Sequence, residues 1–500
     1  MVSLWFPSLS KTLARKLRVQ QPSVFDEGDV DVGEVFVPPY VVDKPEFATH
    51  YSFDRPIQPH QLYARCVINS CCTKPACVPV ASLENDEACI QNRVEMVRNQ
   101  TRLTKKYRRL AREYQHAVAR HVGDITPWLH QAVIEEMPRA DRAKKLDERL
   151  HELAYAKMGD MRTFQKAEAY DGLKAPRNIS PVPDEQLLEM SRFVYPFVKA
   201  LKNARMNWWA PGNTPLQTAE QVARVTRKGP GTYFGADYSK FDGHQNRHLR
   251  RIVRDIIAEC LPDGAREEWI QRFEMEISAK AKTQFGVKYN ANGTMLSGSA
   301  ITTVGNTLLN GFIYYCAARR AGISEGTVIG YMSNNCILYG DDSAGPARIQ
   351  LEFLEVCKDL GVSATLEDCG EGLIFLGRLY YRDGEIHSIF DPRRLMPKIH
   401  ITCSSAQVPL PIAACNRAHR LKASCKGEVW VETICNAILR DWGDNPEEEK
   451  WFSAEEKFNL ERRESLGLPE HEVPHCMVLV ERLLGLPNGL LSAVLYDYDK

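Results

Sequence analysis

Cys336-Ile-Leu-Tyr-Gly-Asp-Asp-Ser-Ala-Gly345, written CILYGDDSAG, is the stretch from which the fold can be read. Residues 336–339 suit a buried strand. Gly340 allows a tight turn, and Ser343 to Gly345 are small enough to begin a return strand. Between them stand two adjacent carboxylates, Asp341 and Asp342. Side by side they repel one another, and a shared cation relieves that repulsion. Gly-Asp also suits hairpins that hold no metal, so the dipeptide alone does not assign a chemistry.

Working outward, TYFGADYSKFDGH (232–244) reads as a strand that ends near Asp237 and enters a turn carrying Asp242. If this strand pairs beside the hairpin, Asp237 meets Asp341. Crowded hard oxygen donors suit Mg²⁺ or Mn²⁺ rather than zinc. Two such ions can activate a 3′-hydroxyl and stabilise a departing pyrophosphate, which is most of what phosphoryl transfer requires. Two further segments fit that chemistry. FQKAEAYDGLKAPRNIS (164–180) sets Lys166, Lys174 and Arg177 around Glu168, and such cations can grip a triphosphate. NGTMLSGSAITTVGN (292–306) places Ser297 and Gly298 in a loop, with Thr302 and Asn306 four apart on the helix that follows. Their polar groups can read a ribose 2′-hydroxyl. A solvated charge run and an internally satisfied polar stripe explain these two segments as well, taken singly.

The bulk properties bound the answer. At 500 residues the chain is long enough for two or three domains, and 44% hydrophobic with 26% charged residues is a globular composition. Lys+Arg and Asp+Glu both number 64, so a nucleic-acid partner needs a local basic channel rather than overall charge. The 15 cysteines form no regular framework and no secretory signal stands out, which predicts reduced thiols. Cys66, Cys71, Cys72 and Cys77 lack C-x-x-C spacing, so thiols are favoured over a zinc site. No apolar run approaches the ~20 residues of a membrane-spanning helix. MVSLWFPSLSKTLARKLRVQ at the start reads as an amphipathic helix docked on the protein itself, with an interfacial or targeting helix as the alternative.

Residues 20–62 read as an extended arm or linker. Residues 91–122 read as a basic helix, for which RNA contact and a solvated face are equal explanations, and helical signals continue to about Gly159. Leu249, Ile252, Val253, Ile256 and Ile257 share one helical face. LEFLEVCKDLGV is an amphipathic helix ended by Gly361. FLGRLYY and EIHSIFD read as paired strands around Asp383-Gly384.

The motifs follow a recognisable order: K-x-E…P-R-N-I-S, D-x4-D, S-G-x3-T-x3-N, G-D-D and F-L-G-R. That order resembles the RNA-dependent RNA polymerases of positive-strand RNA viruses. KAEAY…APRNIS (166–180), DYSKFDG (237–243), SGSAITTVGNT (297–307) and DPRRLMPKIHIT (391–402) resemble the nodavirus-like (noda/tombus-like) replicases more closely still. The likeness spans about 160–402. It implies catalytic, metal-binding aspartates at Asp237, Asp341 and Asp342, with two Mg²⁺ (or Mn²⁺) ions. It implies nucleotide contacts at Lys166, Lys174, Arg177, Asp242, Ser297, Gly298, Thr302 and Asn306, and a strand at Phe375 to Arg378 that abuts the growing 3′ end. Asp242 and Asn306 would sense the ribose. The implied partners are an RNA template and product and nucleoside triphosphates. The implied setting is the host cytoplasm at membrane-associated replication complexes, reached through other factors or the N-terminal helix.

The expected fold is therefore α+β, a right-hand polymerase. The palm, a small antiparallel sheet plus helices, is expected at 236–258 and 297–398. The fingers are expected at 151–235 and 259–296, and the helical thumb at 399–500. Residues 1–150 form an N-terminal extension, packing outside or bridging fingers to thumb. Two departures from the family stand out. The segment GVSATLEDCGEG offers no lysine to protonate pyrophosphate, and Lys358 inside the preceding helix is a poor substitute. Only some 160 residues precede the fingers motif, too few for the family's capping-like region, so a shorter or processed polymerase or a fragment is expected. A reverse transcriptase and a non-catalytic RNA-binding scaffold remain as other classes. Asp242 and the Thr302/Asn306 face argue against the first, and the retained aspartates against the second.

Overall fold

The computed structural model describes residues 40–44, 48–53, 56–69, 76–137, 140–148, 161–444 and 473–499. The expected N-terminal helix, much of the 20–62 arm, Cys71 and Cys72 lie outside them. The chain is a mixture of helices and strands that divides into two compact units. One unit comprises Met1–Ala88, Gln165–Pro176 and Ile389–Lys500. The other comprises Cys89–Phe164 and Arg177–Ser388.

The larger unit is organised around one helix. Helices α1 (Lys105–Val122), α2 (Asp184–Asn203), α3 (Arg247–Glu259), α4 (Asp263–Ile277), α5 (Thr302–Arg320) and α6 (Gln350–Leu360) all belong to it. Every residue of α5 from Val304 to Ala318 is buried. A helix buried all round must carry apolar or internally paired side chains on every face. Leu308, Phe312, Tyr314 and Tyr315 fill that role, and the Tyr114 hydroxyl from α1 donates to the Leu308 carbonyl at 2.9 Å. The five apolar α3 residues singled out by periodicity are all buried in this core.

Two four-stranded sheets belong to the unit. One contains β1 (Met161–Gln165), which runs parallel to β3 (Lys280–Thr283), itself paired with β4 (Lys288–Asn290). The other is a four-stranded sheet of β2 (Tyr233–Tyr238), β5 (Ile337–Tyr339), β6 (Asp342–Pro346) and β7 (Ala364–Glu367). Its order is β5-β6-β2-β7, and all three pairings are antiparallel. The Phe234 ring of β2 stacks on Tyr314 of α5 at 5.9 Å, fixing the sheet against the central helix.

Three expectations change. The basic stretch 91–122 is not one helix: a π turn at Gln91–Glu95 precedes irregular chain, and α1 begins at an N-cap, Thr104. Asn99 causes the break. Its amide reaches the carbonyls of His244 and Leu360 at 2.8 Å each, and its oxygen accepts from Thr101 N, bonds that compete with helix. Beyond α1 the helical signal to Gly159 resolves into His130–Glu135 and Ala140–Glu148, with 149–160 outside the described residues. Finally, FLGRLYY is not one strand, because a further hairpin lies within it, ahead of Asp383-Gly384. Leu373–Phe375 pairs with Arg378–Tyr380 through Leu376 and Gly377, both left-handed with φ 52° and 75°. This register buries Leu373, Phe375, Leu379 and Tyr380 together, which outweighs the strain at Leu376. Phe375 and Arg378 therefore face each other on two strands, with Leu376 and Gly377 as the turn between them, and do not form one continuous strand.

In the other unit, Ala48–Ser52 runs antiparallel to Tyr40–Lys44 and parallel to Ala76–Pro79, and Ile401–Thr402 pairs with Arg65–Cys66. Helices α7 (Leu410–Ser424) and α8 (Val429–Trp442) pack together, α8 burying Trp430, Val431, Ile434 and Ile438. No described helix is long and apolar enough to cross a membrane. Every described cysteine is a free thiol.

Candidate active site

The site grows from the turn between β5 and β6. Tyr339 pairs with Asp342, leaving Gly340 and Asp341 as the two turn residues. Gly340 has φ 62°, and Asp341 is not left-handed. A two-residue hairpin with only its first central residue at positive φ asks for glycine there. A Cβ on Gly340 would meet nothing within 4 Å, so the demand is conformational and the turn faces open space. Across the sheet Ser343 pairs with Ala236, so the next step of the ladder brings Asp342 level with Asp237. Asp237 and Asp341 are exposed and Asp342 is half-buried. Asp237 at the end of β2, Asp341 in the turn and Asp342 at the start of β6 thus stand at one end of the sheet. All their donors are hard oxygens, a set that fits Mg²⁺ or Mn²⁺.

The turn is held from behind by α5. Gly340 N–H donates to the Thr307 hydroxyl oxygen at 2.8 Å, and the Asn310 amide donates to the Gly340 carbonyl at 3.0 Å. Asn310 Oδ1 in turn accepts from the Tyr238 hydroxyl at 2.9 Å, and Thr307 donates to the Thr303 carbonyl. Thr307 and Asn310 are fully buried. Both backbone polar groups of the turn glycine are therefore fixed by one helix, and that helix is tied to the strand bearing Asp237. Burial pushes the Tyr238 phenol well above its usual pKa, so it stays a hydrogen-bond donor. Reading the sequence as far as Thr302 and Asn306 missed these residues. The signal was there: Thr303, Asn306, Thr307 and Asn310 form a polar i, i+3, i+4, i+7 stripe on a helix otherwise apolar, where polar groups need buried partners.

Asp242 and Asn306 come together as the spacing suggested. Asn306 Nδ2 donates to Asp242 Oδ1 at 2.7 Å, and Asn306 Oδ1 accepts from the buried Gln245 amide. Burial raises the Asp242 pKa, and nearby Asp341 raises it further. The Asn306 hydrogen bond and the charges of Arg177 and Arg250 oppose that shift. Asp242 thus lies within electrostatic reach of both Asp341 and Arg177.

The loop before α5 is tied to the APRNIS segment. Ser180 N donates to Ser297 Oγ at 2.8 Å, and Gly298 N donates to the Ser180 carbonyl at 3.1 Å. A Cβ on Gly298 would lie 2.8 Å from Pro181 Cα, so only glycine permits this approach. Thr302 donates its hydroxyl to the Leu296 and Ser299 carbonyls at 2.6 and 2.9 Å, shaping the loop from within. Ser299 donates to Glu276 at 2.8 and 3.0 Å, and Glu276 pairs with Arg250 at 3.2 Å, both side chains fully buried. Arg250 also donates to the Thr294 carbonyl. Lys166 and Lys174 belong to the other unit, where they pair with Glu168 and Asp171 at 2.8 Å each.

Residues 174–435, more than half of the chain and all of this site, match the family model of viral RNA-dependent RNA polymerases. The chain belongs to that family. Among curated relatives, the RNA-directed RNA polymerase of Pariacoto virus is 29% identical over 400 residues, covering 79% of this chain and 40% of the relative. That of Greasy grouper nervous necrosis virus is 30% identical over 391 residues, covering 73% and 38%. That of Flock house virus is 25% identical over 336 residues, covering 64% and 33%. The chain spans about two fifths or less of the length of these relatives.

Proposed function

We propose that the chain is a template-directed RNA polymerase that adds ribonucleotides to an RNA 3′ end and releases pyrophosphate, replicating a viral RNA genome in the host cytoplasm. The observation that carries this reading is the register of β6 on β2, which gathers Asp237, Asp341 and Asp342 within the family-matched region. In this reading the sheet β5-β6-β2-β7 with α3 and α5 is the palm, 151–235 and 259–296 are fingers, and 399–500 is the thumb. The three aspartates would hold two Mg²⁺ ions, which supply charge neutralisation and an activated 3′-hydroxyl. The chain's own part is positioning. α5 fixes the turn that carries Asp341, Arg177 offers a cation beside Asp242, and the 297–299 loop forms one rim with residues 177–181. An incorporation assay on a short RNA with Mg²⁺ or Mn²⁺, with and without primer, tests the reading, and absence of synthesis under all four conditions counts against it.

Two predictions arise here. Asn306→Ala frees Asp242 from its hydrogen-bond donor, and in this reading Asp242 is the carboxylate that accepts from a ribose hydroxyl. Preference for ATP over dATP is expected to fall about 10- to 100-fold, the worth of one hydrogen bond to a charged group. An unchanged ratio in steady-state competition rejects that role. Thr307→Val keeps the shape of the side chain and removes the oxygen that accepts from Gly340. It should lower kcat about 10- to 100-fold, since small misplacement of reacting groups costs on that scale. KM for the nucleotide should stay within about twofold, and Thr307→Ser should restore the rate. Loss of nucleotide affinity with kcat intact would mean that the clamp does not position the turn.

A further inference from the structure

A second group of metal-type donors lies in the unit that contains Ile389–Lys500, and its chemistry differs from that of the aspartate site. Cys415 and His419 are four residues apart on α7, which sets them one above the other on a single helical face. α8 ends at Gly443, whose φ of 84° turns the chain and whose N–H closes on the Leu439 carbonyl. The turn returns the Asp444 carboxylate to α7. Asp444 Oδ1 lies 2.7 Å from His419 Nε2 and 3.9 Å from Cys415 Sγ, and one donor atom from each residue lies within 4.8 Å of the other two. Among the described residues no other group of His, Cys, Asp and Glu is drawn together in this way.

We infer that Cys415, His419 and Asp444 form a binding site for a zinc-type divalent cation. Around a tetrahedral zinc, bonds of about 2.0–2.3 Å separate neighbouring donors by about 3.3–3.8 Å. The thiol–carboxylate distance already matches to within a few tenths of an ångström. The imidazole–carboxylate contact has to open by roughly half an ångström as the metal replaces the shared proton. Thiolate, imidazole and carboxylate together select borderline cations such as Zn²⁺ or Co²⁺ over Mg²⁺, which wants oxygen alone. Cys415 is buried whereas His419 and Asp444 reach the surface, so an ion enters from solvent and finds its softest ligand on the inner side. The fourth position is left to water. Bound there, the ion cross-links α7 to the end of α8, a structural role separate from nucleotide chemistry. The inference does not depend on the proposed polymerase activity.

The test is a Co²⁺ titration of the purified, chelator-stripped full chain, read by the visible bands of tetrahedral cobalt and the near-ultraviolet thiolate-to-cobalt band. Zn²⁺ competition and thermal melting follow. One ion per chain with a thiolate band is expected, displaced by Zn²⁺, together with a higher melting temperature in Zn²⁺. Cys415→Ser should remove the thiolate band and weaken binding more than about 100-fold, since even outer-shell partners of a metal are worth 10- to 100-fold. His419→Gln and Asp444→Asn change surface groups and leave the helix packing alone. Each should weaken binding at least about 10-fold and abolish the Zn²⁺-dependent rise in melting temperature. Cobalt bound without a thiolate band, an unchanged titration in the surface variants, or no binding at all overturns the site.

Discussion

Asp341→Ala and Asp237→Ala proteins are expected to lose RNA synthesis by more than about 10³-fold while still binding template RNA. A metal ion that neutralises charge in phosphoryl transfer is worth several kcal/mol, and every 1.36 kcal/mol is a factor of ten. Each aspartate is exposed at the end of the sheet, outside the buried core, so its removal does not open a cavity. The loss should therefore appear in rate and not in melting temperature. Asp342 is half-buried and closes the hairpin opposite Tyr339, so its replacement should combine a loss of rate with some loss of stability. Single-nucleotide extension of a labelled primer, beside a filter-binding measurement of RNA affinity, separates the two effects. Normal extension by Asp341→Ala protein would remove the proposed function altogether.

The second large effect concerns stability. Arg250→Met strands the Glu276 carboxylate in the core, and breaking a fully buried ion pair from one side costs about 3–5 kcal/mol. Against the 5–15 kcal/mol that usually holds a domain together, this is a large share. In a unit of this size it corresponds to a fall in melting temperature of roughly 5–8 °C. Glu276→Gln leaves the buried Arg250 charge without its counter-charge and should also destabilise, although the amide oxygen still offers the Ser299 hydroxyl an acceptor. The double variant should be less destabilised than the sum of the two singles by at least about 1 kcal/mol, the signature of a direct interaction. Calorimetric melts of the four proteins decide this. A single Arg250→Met transition within about 2 °C of the parent would show that the pair is not a structural keystone. Because Glu276 also holds Ser299, and Arg250 holds the Thr294 carbonyl, the pair braces the loop that carries Ser297 and Gly298.

The hairpin at Gly340 was legible from sequence because its requirements are local. A strand, a glycine able to take positive φ and a return strand of small residues are written consecutively. The apolar face of α3 was legible for the same reason, since period 3.6 is a property of one segment. The turn at Leu376-Gly377 was not. FLGRLYY reads as a single strand, and the turn inside it forms because that register buries Leu373, Phe375, Leu379 and Tyr380 together. The break before α1 depended on Asn99 reaching His244 and Leu360, partners more than a hundred residues away.

For the site, the residue types and their order along the chain were determined by sequence alone: the acids at 237, 242, 341 and 342, the Ser297-Gly298 loop and the Asn306 helix. Their spatial company was decided by the tertiary fold. Only the ladder between β6 and β2 brings Asp237 level with Asp342. Only the burial of α5 turns Thr307 and Asn310 from a polar stripe into a clamp on Gly340, and only the return of the chain at Gly443 brings Asp444 back to Cys415 and His419. The physical reason is one of range. Backbone conformation and amphipathic period are set by neighbours in sequence, whereas a hydrogen bond or a shared cation needs groups within a few ångströms, and nothing short of the packed core determines which distant residues those will be.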